Sequence, residues 1–321
     1  MVKVVLPDDS PPAFTGSEAL ARLRNEKGLD VHVYTTPPAD QQDLLSRIEG
    51  AHTVINVRAY CKFPRSVLKA ASSYLKHVAI WGTGTDAVDL EAARELGIVV
   101  SNTPDTATDS VAEHTLTLML AVARQIPALD SGIRNNRWVK GSLVQLEGKT
   151  LGIIGTGVIG CRTAQIARGI GMQVIAWSFN PDPAKAEKFG FEYTTLDKVL
   201  RCSDVISLHI RSTPETKHFI DAEEFSRMKP TAILVNTARG SVINEEVLVD
   251  ALRNNRLAGA GLDVFEEEPL PNDHPLTKLP NVVMTPHTAG TTPEALANGL
   301  NRTVDNVLTF IREGSVVYRV V

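Results

Sequence analysis

The stretch KTLGIIGTGVIG, residues 149–160, decides how the rest of the chain is read. A short apolar run, 151–154, leads into Gly155, Gly157 and Gly160 at the spacing G-x-G-x-x-G. A helical pattern follows, with Ile159, Ile166, Ala167 and Ile170 expected on its inner face and Gly171 as its stop. A second apolar run, 174–177, comes next. A dinucleotide pyrophosphate requires this order. The first glycine permits the tight turn, the second lets backbone N–H groups approach the phosphates, and the third lets the helix lie close on the strand. The helix N-terminus adds positive partial charge. A glycine motif alone is weak, and a methyltransferase-like or purely structural turn competes with it. Placed between two strands and opening a helix, it points strongly to a dinucleotide.

Upstream of the turn, strand and helix patterns alternate. Apolar runs at 2–6, 31–34, 53–57, 77–81 and 98–100 read as strands, with helical segments near 17–25, 41–48, 65–72 and 89–96. That rhythm predicts a parallel sheet covered by helices on both faces. None of these segments holds a glycine-rich loop, so they form a separate α/β domain. A long helical stretch, 110–126, follows, with Val111, His114, Leu118 and Val122 along one side and Ser110 and Glu113 at capping-box spacing. His114 on that apolar side reads as a core residue. The segment 134–145 is polar and irregular; its Trp138 reads equally as an interface anchor or as buried under the loop. Beyond the glycine turn, further strands are expected at 205–209, 232–236, 260–264 and 282–285, while 190–199 shows no clear pattern. The segment 293–311 forms one amphipathic helix, with Leu296, Leu300, Val304, Val307 and Ile311 in register, expected to cross back to the first domain.

A length of 321 residues suits two domains. A net charge of -4 and a pI near 6.1 give no support for nucleic acid or an acidic membrane as partner. The opening MVKVVLPDDS lacks the apolar core of a signal peptide, and the apolar patch 116–123 is too short to span a bilayer. Cys61, Cys161 and Cys202 are odd in number and widely spaced, which argues for a reducing compartment and against a zinc site or disulfide framework. The expected location is cytoplasmic.

Three charged residues each follow a different strand, where ligands of open α/β sheets collect. Arg239 follows AILVNTA, Glu268 follows AGLDVFEE and His287 follows VVMTP. Arg239 offers a planar fork for a carboxylate, against the alternative of a structural ion pair. His287 is suited to move a proton near neutral pH, although a lone histidine after a strand is more often structural. Glu268 could hydrogen-bond His287 and favour its charged form; otherwise it is a solvated charge in the run 266–268. His209, ending a strand, could line the cofactor cleft, but reads as structural sooner than catalytic.

With these residues in hand, the chain resembles the D-isomer-specific 2-hydroxyacid dehydrogenases, the family of phosphoglycerate dehydrogenase and of glyoxylate and hydroxypyruvate reductases. The stretches that carry the likeness are 82–104, DSVAEHTLTLML (109–120), GIIGTGVIG (152–160), LVNTARGSVINEEVLVDAL (234–252), AGLDVFEEEPL (260–270) and MTPHTAG (284–290). The resemblance implies two doubly wound parallel-sheet α/β domains, a Rossmann dinucleotide-binding domain (102–287) inserted in a flavodoxin-like substrate domain (1–101 and 288–321). It implies hydride transfer between NAD(P)H and a 2-keto acid. His287 would be the acid/base, Glu268 its partner, and Arg239 the group that binds substrate carboxylate and carbonyl.

By the same resemblance, Val158 and Ile159 join the three glycines over the pyrophosphate. Thr237, Ala238, Asp263 and Gly290 lie near the nicotinamide, together with Arg239 and His287. Arg58, Ala59, Tyr60, Thr83 and Gly84 would cradle the substrate carboxylate. Members usually dimerise through the helices after the linker, and closure of the two domains would exclude water. Two positions depart from the pattern. Ser178 stands where an NAD enzyme often has Asp to hold the ribose 2′-OH, so NADP is not excluded, yet residues 179–182 lack the arginine that a 2′-phosphate favours. Arg211-Ser212 replaces a common Pro-Leu. Because the family also contains corepressors, a nucleotide-sensing, non-catalytic role is the alternative.

Overall fold

The computed structural model describes residues 1–57 and 61–321, which divide into two compact units. The first joins Met1–Ala107 to Thr292–Val321; the second is Thr108–Thr291.

In the first unit, strands β1 (Val2–Leu6), β2 (Leu29–Val33), β3 (Thr53–Asn56), β4 (His77–Ile80) and β5 (Val99–Ser101) form a sheet in the order β2-β1-β3-β4-β5. Every pair is parallel. β3 and β4 are buried along their whole length, as central strands covered on both faces must be. The helices between them start on side-chain caps. Ser17 accepts from Leu20 N, Asp40 from Asp43 N and Asp89 from Ala92 N, each satisfying a donor that the helix itself leaves open. The last helix, Pro293–Glu313, starts at Thr292 and ends on Gly314 at φ 70°. It packs Leu300, Val304 and Val307 into the core formed by Val4, Leu6 and Ile55.

The second unit holds β6 (Thr150–Ile154), β7 (Gln173–Trp177), β8 (Glu192–Tyr193), β9 (Val205–Leu208), β10 (Ile233–Asn236), β11 (Gly259–Leu262) and β12 (Val282–Met284). Their order is β12-β11-β10-β9-β6-β7-β8, again parallel throughout. The direction of winding reverses between β6 and β9. That reversal opens a crevice outside the carboxyl ends of the strands. The fold class is therefore the one the alternating pattern predicts: two parallel-sheet α/β units. Among the described residues no helix is long and apolar enough to cross a membrane.

Two expectations about local structure need correction. The helix after the glycine turn, Val158–Gly169, buries Gly160, Cys161, Thr163, Ala164 and Ala167, while Ile159, Ile166 and Ile170 are only half-buried. Small residues face inward because this helix lies close on the sheet and shares a core with Leu118 and Met119 of the helix Thr108–Ala123. That second helix begins at Thr108, so Ser110 sits within its first turn and is not its cap. Residues 190–199 contain the two-residue strand β8 and the start of the helix Leu196–Cys202, too little of either for a periodic signal.

Candidate active site

The three glycines of the turn lack side chains for three different reasons. Gly155 has φ 101°, and a Cβ there would also strike the carbonyl of His209. A Cβ on Gly160 would overlap the carbonyl oxygen of Gly155. Gly157 is different: a Cβ there would meet nothing within 4 Å. Packing among the described residues does not need a glycine at that position; a ligand lying against the backbone would. Gly157 is also the N-cap of the helix Val158–Gly169 and offers no side-chain acceptor to its first turn. Open N–H groups and the helix dipole face this space, which fits a pyrophosphate. Val158 is exposed there and Ile159 half-buried.

The three charged residues stand on loops that the second unit holds in place. Asn236, at the end of β10, accepts from Ala238 N at 3.0 Å and donates to Arg239 O at 2.9 Å, fixing the turn 237–239. Thr237 in that turn is buried. Arg239 is exposed and donates to Ala238 O at 2.7 Å. Among the described residues no carboxylate lies within ion-pair distance of its guanidinium.

The loop after β11 is packed against the residue that follows Arg239. A Cβ on Gly240 would overlap the backbone of Phe265 and Glu266. The same loop is tied by Glu245, whose Oε1 accepts from Glu266 N at 2.6 Å. Burial pushes the Glu245 carboxyl up, while the hydrogen bond from Glu266 N and the nearby His274 pull the other way. So held, Glu268 accepts from Phe265 N at 3.0 Å on one oxygen and faces His287 Nδ1 at 2.7 Å on the other. The structure thus brings Glu268 and His287 together. Their side chains are 35% and 50% exposed, so the pair is open to solvent in part.

His287 has φ 53°, in the left-handed region that side chains rarely enter. Its N–H donates to Asp263 O at 2.8 Å. The Asp263 carboxylate, 1% exposed, accepts from Thr285 Oγ1 (2.6 Å), Thr288 N (2.9 Å) and Ala289 N (2.9 Å). Asp263 thus secures the loop around His287, and Gly290 follows it, half-buried. His114 does not sit in the core as the helix pattern suggests. Its Nε2 lies 2.9 Å from Thr285 Oγ1. Periodicity reads the face of a helix but not the polar loop across from it, and for that reason Glu245, Gly240 and His114 carried no functional signal. His209, directly after β9, bonds Ser207 Oγ at 2.9 Å, and burial pushes its ring down to about 3.

At the carboxyl end of β7, Ser178 is half-buried and accepts from Asn180 N at 3.4 Å. It lines a cavity of about 490 Å³ with Trp177, Pro181, Tyr193 and Thr195, and none of the lining residues is acidic. Lys185 Nζ reaches Thr156 O in the glycine turn at 3.3 Å. In the first unit, Thr83 and Gly84 are exposed on the loop after β4, where Asn102 Nδ2 holds Thr83 O at 2.8 Å. Arg58, Ala59 and Tyr60 lie outside the described residues.

A parallel sheet wound in both directions from a glycine turn, with a histidine–glutamate pair at its carboxyl edge, defines a dinucleotide-binding α/β protein. A family model described as the D-isomer specific 2-hydroxyacid dehydrogenase, NAD binding domain, matches residues 116–289. The chain belongs to that family. It is 38% identical to a glyoxylate reductase of Thermococcus litoralis over 89% of both chains. It is likewise 38% identical to a D-3-phosphoglycerate dehydrogenase of Archaeoglobus fulgidus over 88% of its own length, but spans only 53% of that relative. The solved structure of the TT0316 protein from Thermus thermophilus superposes over the whole of both chains with a TM-score of 0.88 at 37% identity.

Proposed function

We propose that the protein reduces a small 2-keto acid to its D-2-hydroxy acid and catalyses the reverse oxidation. The observation that carries this reading is the 2.7 Å pairing of His287 Nδ1 with Glu268, on the same carboxyl edge as an arginine that no described carboxylate pairs. When bound at the glycine turn, the nicotinamide cofactor supplies or accepts the hydride. With Nδ1–H donated to Glu268, the Nε2 face of His287 is left to pass a proton to the developing alkoxide. Glu268 balances the charge on the ring while it holds that proton. Arg239 takes the substrate carboxylate in its fork and offsets charge gathering on the carbonyl oxygen. Thr237, Ala238, Asp263 and Gly290 are proposed to border the nicotinamide, and Thr83 and Gly84 to contact the substrate.

The cofactor is NAD, and the neutral Ser178 with its acid-free cavity leaves NADP admissible. A homodimer is proposed on the exposed apolar side chains of Ile126, Ile133, Trp138 and Val139. The three free cysteines, two of them buried, suit a reducing compartment such as the cytoplasm.

The decisive experiment follows absorbance of the reduced cofactor with glyoxylate, hydroxypyruvate, pyruvate and 3-phosphooxypyruvate, using NADH and NADPH in parallel. Turnover of at least one acid is expected, and turnover of none with either cofactor would sink the proposal.

A further inference from the structure

Two neighbouring residues of the helix Thr108–Ala123 reach the loops that carry Arg239 and His287, and neither has a part in the chemistry above. Thr115, fully buried, donates to Val111 O at 2.7 Å and meets Thr237 Oγ1 at 2.8 Å. His114, the residue before it, meets Thr285 Oγ1 at 2.9 Å, two positions before His287. The direction of this second bond follows from counting protons. Thr285 Oγ1 has one hydrogen and lies 2.6 Å from Asp263 Oδ1, a carboxylate oxygen that can only accept. The hydroxyl therefore gives its proton to Asp263 and accepts from His114, so the ring carries its hydrogen on Nε2.

The chain His114 Nε2–H to Thr285 to Asp263 ends on the group that holds the loop around His287. That loop resists a backbone preference. A non-glycine residue with φ 53° is disfavoured and persists only where its surroundings over-determine it. Asp263 accepts from residues 285, 288 and 289 on either side of the strained position. If the Thr285 hydroxyl turned away, one oxygen of Asp263 would lose its shortest partner, and the residue two before His287 would lose its anchor.

Resting on the proposed role of His287, we infer that His114 is a positioning residue for proton transfer: its Nε2–H fixes the Thr285 hydroxyl on Asp263 and so aims the His287 ring. The proposal requires neither contact of His114 with substrate nor a change in its charge.

The test compares His114→Ala, His114→Gln and Thr285→Val in the full-length protein. His114→Ala is expected to lower kcat by about tenfold or more, as misplacement of a reacting group does, while NADH affinity by fluorescence stays at the wild-type value. Gln places an N–H donor at similar reach and is expected to restore most of the loss. The double variant His114→Ala/Thr285→Val should be no slower than the worse single one, because both cut the same link. Wild-type kcat in His114→Ala, or no rescue by Gln, would overturn the inference. Should His114→Ala not fold, Thr285→Val reads the same link, and an unchanged kcat there overturns the inference equally. Histidine ¹⁵N spectra separate this proposal from the catalytic reading. If the wild type reduces none of the acids, the functional reading fails. The His114 link then stands if its ring is the Nε2–H tautomer and Thr285→Val shifts the His287 resonances; an Nδ1–H tautomer or unmoved resonances overturn it.

Discussion

At Gly157 the chain leaves room that no atom of the described residues fills, whereas at Gly160, three residues on, it leaves none. The two glycines are therefore expected to fail differently. Gly160→Ala presses on the Gly155 carbonyl and should cost about 1–3 kcal/mol in a urea titration, as overpacking does. Gly157→Ala should leave the denaturation midpoint near the wild type and weaken cofactor binding instead, measured by fluorescence titration. Equal losses of stability in both would show that the turn is structural. The spacing of the motif was legible in the sequence, but this division of labour was not, because it depends on which carbonyl lies opposite each Cα. At the same scale, His287→Ala should lower kcat by roughly 10²–10⁴ with cofactor affinity retained. Glu268→Gln keeps the shape of the pair and removes its charge. It should lose less, and an unchanged rate in either variant would remove the pair from the mechanism.

Among the elements, the sheets were readable because a parallel strand buried on both faces is a short, largely apolar run, as ILVN is in β10. Helix faces were less so. The isoleucines after the glycine turn mark the margin of the buried stripe, and the alanines and Gly160 mark its centre. A hydropathy pattern weights the larger residues and so rotates the face. The loops were least legible, since their shape is set by partners far away in sequence. Gly240 shows the consequence. Its missing Cβ is what admits the Phe265–Glu266 backbone, and through it the placement of Glu268. Gly240→Ala should displace that loop and depress kcat together with thermal stability. A variant with wild-type turnover would show that Glu268 does not depend on this packing.

For the whole molecule, pH acts through histidines that the fold keeps neutral. His77 in β4 is fully buried, bonds Ser101 Oγ at 2.8 Å and lies 4.5 Å from the Phe310 ring; burial pushes it down to about 3. His209 is pushed down in the same way. The unfolded chain takes up these protons near the ordinary value of 6.5, before the folded chain can. Stability is thus complete above pH 6.5 and declines as pH falls towards 3, by about 2 kcal/mol between pH 7 and pH 5 for His77 alone. Urea midpoints across that range should show the decline, and His77→Gln should flatten it; an identical slope in the variant would exonerate His77. Trp138 belongs to this scale as well. It is 81% exposed, which leaves of its two sequence readings the one that looks outward. For the proposed homodimer, Trp138→Glu should shift the molecular mass measured by light scattering from dimer to monomer; a dimeric variant would place the interface elsewhere, and a monomeric wild type would remove the proposal.

The way the second unit interrupts the first also sets an order on synthesis. The core that contains Val4, Leu6 and Ile55 needs Leu300, Val304 and Val307 from a helix encoded after the whole of the second unit. The segment Thr108–Thr291 leaves the ribosome complete before that helix exists. The nucleotide-binding unit can thus fold on the nascent chain, while the unit that begins at Met1 waits, its apolar surface uncovered, for residues almost three hundred positions later. The segment made before the nucleotide-binding unit is finished after it, and it is this segment that chaperones would be expected to hold during translation.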